Sequence, residues 1–101
     1  MDTDDLSKET YKAILIESEK FNHDLTLQFG LLAEECKDEK DYIQNSLELI
    51  NELKEMDEDE FPDIFFDEIP DKKILIRVLE KIKKNILKVQ EIPLEKRHFD
   101  F

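Results

Sequence analysis

Any chemistry this chain performs would have to come mainly from carboxylates. Of its 101 residues, 27 are Asp or Glu, against two His, one Cys and no Trp. The densest acidic run is Asp57, Glu58, Asp59 and Glu60. An EF-hand loop needs acids at alternating positions, Gly at the sixth and Glu at the twelfth. Counted from Asp57, the fifth and sixth residues are Phe61 and Pro62, so the pattern fails. A helical di-iron centre needs Glu-x-x-His pairs on two helices. Glu95 and His98 have that spacing, once, after Pro93. Glu19 and His23 stand one helical turn apart on a polar face, where a solvated pair is expected. Cys36 sits among Glu34, Glu35, Asp38 and Glu39, a field that disfavours the thiolate a nucleophile needs. Its place on an apolar seam makes it a small core residue. There is no phosphate-binding glycine loop, zinc spacing or convincing catalytic triad. The expectation is a non-enzymatic protein with no cofactor and no metal.

Binding is what remains. Phe61, Phe65 and Phe66 stand among Asp57, Glu58, Asp59, Glu60, Asp63, Asp67 and Glu68. Exposed, these aromatics would anchor a basic partner inside an acidic surround. Buried, they would form a lid over the core. Other apolar residues lie off the helical seams: Ile16, Leu27 and Leu31 on one segment, Ile76 and Leu87 on another. These are the candidate surface for association between copies.

The elements that must carry such surfaces are helical. The chain is 40% hydrophobic and 42% charged, with one Gly and three Pro. That leaves little material for hairpin turns. Tyr11, Ile14, Ser18, Phe21, Leu25, Phe29, Leu32 and Cys36 recur every three or four residues. They predict one long helix from Ser7, its N-cap, to Cys36. Asn22, His23 and Asp24 are where that helix would kink, and Gly30 costs it roughly 1 kcal/mol relative to Ala. A charged joint at 37–40 leads to an antiparallel second helix, capped by Asp38 or Asp41 and running to about Met56 with Tyr42, Ile43, Leu47, Leu49, Ile50 and Leu53 on its stripe. A crossover bounded by Pro62 and Pro70 follows, with a short helical turn expected near 61–69. Asp71 caps a third helix over about 72–91, with Leu75, Val78, Leu79, Ile82, Ile86 and Val89 on its seam.

These readings combine into an all-α fold, a three-helix bundle over 7–92. Residues 1–6 would be a flexible acidic leader, and 93–101, with Phe99 and Phe101, a tail. The formal net charge is −12. It argues against nucleic acid, which needs Lys and Arg against phosphate, and against anionic membrane surfaces. The acidic start is unlike a signal peptide, and no apolar run approaches a membrane span. A cytoplasmic protein is expected. Charge is also uneven. Residues 1–71 carry 6 Lys and Arg against 23 Asp and Glu, a net of −17; residues 72–101 carry 9 against 4, a net of +5. A basic third helix docking on an acidic hairpin accounts for this. The alternative is a strip of Lys81, Lys83, Lys84 and Lys88 that meets an acidic partner or RNA.

The leading expectation is a small acidic interaction module, an inhibitor or adaptor that binds a basic protein through 57–69. The alternatives are a homo-oligomeric structural protein and a carboxylate metal-binding or catalytic domain.

Overall fold

The computed structural model describes residues 1–99, and the expectation for Phe101 lies outside them. The described residues are helical with no strand. Helix α1 covers residues 8–21. Its middle, Lys12–Ile16, is π-helical between α-helical Lys8–Tyr11 and Glu17–Phe21. Helix α2 is His23–Glu35, α3 is Glu39–Glu55 and α4 is Lys72–Gln90. The crossover from α3 to α4 contains a 3-10 turn, Glu58–Asp63, with Pro62 inside it.

The long first helix is therefore two helices, which corrects the expected three-helix count. The break falls at Asn22, whose backbone is extended at φ −160° and ψ 133°. Its side-chain oxygen accepts from the amides of Asp24 at 2.7 Å and Leu25 at 3.2 Å. Capping the first amides of α2 in this way offsets the helical bonds lost at the break. The apolar period survives the break, because Ile14, Ser18, Leu25, Phe29 and Cys36 are all buried.

Each helix packs mainly on two others. Helix α1 lies against α2 and α4, and α3 likewise lies against α2 and α4. An element with neighbours on both sides must bury more than one stripe, and α1 buries Ala13, Ile14 and Leu15 in succession. Side-chain hydrogen bonds fix these pairings. The Ser18 hydroxyl donates to the Leu15 carbonyl at 3.0 Å and lies 3.2 Å from Thr26 Oγ1, tying α1 to α2. The Tyr42 hydroxyl of α3 donates to the Phe29 carbonyl of α2 at 3.0 Å. Burial pushes that phenol above its usual range. Two ion pairs cross between helices: Lys81 with Glu17 at 2.9 Å sets a lysine of the last helix against an acid of the first, whereas Lys54 with Glu80 has the opposite polarity to that expected of a basic helix on an acidic hairpin. The Lys54 ammonium holds the Glu80 carboxyl below the usual range.

The caps follow the sequence. Ser7 Oγ accepts from the Thr10 amide, Asp38 from the Asp41 amide and Asp71 from the Lys73 amide. The leader, however, is not frayed. Thr3–Asp5 form a 3-10 turn, and Leu6 and Ser7 are fully buried. Nor does the described part of the tail hang free. The Ser7 amide donates to Glu39 Oε1 at 2.6 Å, and Arg97 Nη1 donates to Glu39 Oε2 at 2.8 Å. The two side chains of that ion pair are 9% and 4% exposed. Beside it, His98 donates its amide to Glu9 Oε2 at 3.0 Å, and its ring Nδ1 lies 2.5 Å from Glu9 Oε1. One carboxyl at the start of α3 thus gathers both ends of the described chain.

Truncating one partner of a buried pair strands the other, so Arg97→Ala should cost about 3 kcal/mol in urea denaturation; a loss of well under 1 kcal/mol would contradict this packing. The His98 ring beside Glu9 holds that carboxyl down at about 2, against a usual 4.5. A depressed carboxyl contributes stability that is complete above its unfolded value and fades as pH falls through the folded one. Glu9→Gln should therefore be less stable than the parent near pH 6, with the gap closing between 4.5 and about 2. Denaturation curves across that range check it.

Candidate functional site

The crossover 57–69 begins where the acidic run ends α3. Four acids oppose the negative end of a helix dipole, and α3 stops at Glu55. The 3-10 turn then carries the chain past Pro62. The Glu60 amide donates to the Asp57 carbonyl at 3.0 Å, and the Phe65 amide to the Phe61 carbonyl at 2.8 Å. This spacing turns Phe61 and Phe65 inward together. Both are 1% exposed, and their rings meet edge to face at 5.7 Å. Such a pair is worth about 0.5–1.5 kcal/mol beyond the area it buries. Phe61 and Phe65 are thus core residues. The expectation that they anchor a partner is corrected on this point.

Phe66 differs. It is 76% exposed and points away from the core. Its backbone is nevertheless held. The Asp24 carboxyl, 4% exposed, accepts from the amides of Phe66 at 2.8 Å and Asp67 at 3.0 Å through one oxygen, Oδ2. The neighbouring Asn22 Nδ2 donates to the Glu68 carbonyl at 3.2 Å. The break between α1 and α2 is therefore also the clamp on the crossover. Asp24 lies in the first turn of α2, where the helix dipole favours a negative group.

The acids named from sequence, Asp57, Glu58, Asp59, Glu60, Asp63, Asp67 and Glu68, are all exposed. Beyond Phe66 in the sequence, two exposed apolar residues were not among the named site residues. Ile69 and Ile74 are 55% and 50% exposed. With Phe21 and Pro70 they line a shallow recess of about 300 Å³, edged by Glu68 and Asp71. The site is an acidic surface carrying one protruding aromatic and a small apolar recess.

The five residues considered for self-association do not share one groove. Ile16 is half-buried between α1 and α4, with Val89 and Ile92. Leu27 and Leu31 are exposed on α2 beside a groove with α1. Ile76 is half-buried and Leu87 exposed on α4, and neither lines those two grooves. Among the described residues no three His, Cys, Asp or Glu converge as a metal would require. Burial raises the Cys36 thiol, with Asp41 adding to the effect. No helix among them is long and apolar enough to cross a membrane. Compared with family models, curated proteins and solved structures, the chain matches none.

Removing the Asp24 carboxyl would leave two loop amides without their acceptor. Bonds to a charged group contribute about 1.5–3 kcal/mol, so Asp24→Ala should lower unfolding stability by about 2–3 kcal/mol. Urea denaturation checks this. An unchanged midpoint would mean that the crossover does not depend on the clamp.

Proposed function

We propose that this chain is a non-enzymatic protein-interaction module, of inhibitor or adaptor type. It binds a basic partner through the outer surface of 57–69, with Phe66 as its apolar anchor. The observation that carries this reading is the exposure of Phe66, at 76%, on backbone hydrogen-bonded to a buried carboxyl. Aromatic residues dominate binding energy where they enter a partner's pocket. A backbone already held in place has less freedom to lose on binding. The exposed Asp63, Asp67 and Glu68 around it suit Lys and Arg on the partner and would speed encounter at low salt. The recess beside Ile69 and Ile74 suits the aliphatic part of a long basic side chain.

Capture from lysate should be compared between the parent, Phe66→Ala and Asp67→Lys/Glu68→Lys. The expected result is a basic protein retained by the parent at low salt, lost at high salt and lost with either variant, while both variants keep the parent's helical spectrum. Equal retention of the same protein by the parent and both variants would remove 57–69 from the interface.

A further inference from the structure

Gly30 is the only glycine in the chain. It stands inside α2, where glycine weakens a helix. Neither ordinary reason for a glycine holds there. Its φ is not positive, so any residue could adopt its backbone. A Cβ added to it would meet nothing within 4 Å, so among the described residues nothing comes too close to admit a side chain. Glycine therefore weakens α2 at this position without relieving any contact in the free protein. Close approach by a backbone from outside the chain would account for it.

The surroundings agree. The space beside Gly30 is a groove of about 330 Å³ between α1 and α2. Tyr11 and Leu15 line it from α1, and Leu27 and Leu31, 45% and 56% exposed, line it from α2. Glu19 and Glu34 also line it, with no Lys or Arg. Residues 27, 30, 31 and 34 have helical spacing, so the apolar and acidic features run along α2 as a strip that a second helix could follow.

We infer that this groove docks an amphipathic helix of a partner protein, whose apolar stripe crosses Gly30 and whose flanking Lys or Arg meet Glu19 and Glu34. A second copy paired groove to groove is the poorer occupant, because it would set one acidic rim against another in a chain of net charge −12. The inference shares with the proposed function only the basic character of the partner. It concerns a separate surface, so either can fail without the other.

The probe is a synthetic helix with a leucine stripe flanked by Lys and Arg. Its control has the same composition with the leucines scattered around the helix. Each is titrated into the isotopically labelled chain and followed by NMR. Amide shifts should centre on Tyr11, Leu15, Leu27, Gly30 and Leu31, and the scattered peptide should bind at least about tenfold more weakly. Gly30→Ala should raise the melting temperature. Gly30→Leu, with open space for its side chain, should keep the fold yet weaken peptide binding about tenfold or more, whereas Phe66→Ala should leave that binding unchanged. Shifts centred elsewhere, unaltered affinity in Gly30→Leu, or no binding at millimolar peptide would overturn the inference. So would shifts at these residues that grow with chain concentration alone, alongside a dimer in sedimentation, because the groove would then belong to a second copy.

Discussion

Asn22 and Asp24 hold together two features that are distant in sequence. Asn22 ends α1 and caps α2 with the same extended backbone, and its side-chain Nδ2 donates to the Glu68 carbonyl. Asp24, two residues later, is buried and accepts from two successive amides of the crossover. A loop between helices carries backbone donors that must find partners where water is excluded. Here a side chain 42 residues earlier in the sequence supplies them. The backbone that presents Phe66 is held by that clamp.

A second carboxyl does comparable work at the other end. Glu39 lies in the first turn of α3 and meets the Ser7 amide and the Arg97 guanidinium. A buried pair of this kind adds little net stability compared with apolar packing, but breaking it is costly. It therefore favours one arrangement of the chain ends over others. The same acidic composition thus has two roles in this molecule. A few carboxyls are buried and partnered, and they set the topology. Most are exposed, and they give the surface its charge.

Much of the helical framework was legible in the sequence. The caps Ser7 and Asp71, Asp38 as one of two candidates with Asp41, and the seam of α4 followed from residue type and period, because local hydrogen bonding and apolar spacing suffice for these. The break at Asn22 was legible only as a weak signal. The apolar period runs through it undisturbed, and periodicity reports which face is buried rather than whether the helix is continuous. The contacts of Asp24 with Phe66 and of Glu39 with Arg97 left no trace, because they join residues 42 and 58 apart whose spacing obeys no local rule. In the crossover, composition named three phenylalanines without separating them. A 3-10 turn places Phe61 and Phe65 on the inner side, and the Asp24 clamp holds the backbone that presents Phe66. That split is a property of backbone geometry, not of residue type.

The most direct measurement is native-state amide hydrogen exchange at Phe66 and Asp67. If Asp24 holds the crossover as part of the folded unit, both amides should exchange only through large-scale opening, with protection close to that of the α2 and α3 interiors. Exchange at rates typical of an open loop, while those helices stay protected, would contradict the clamp and remove the rigid presentation of Phe66.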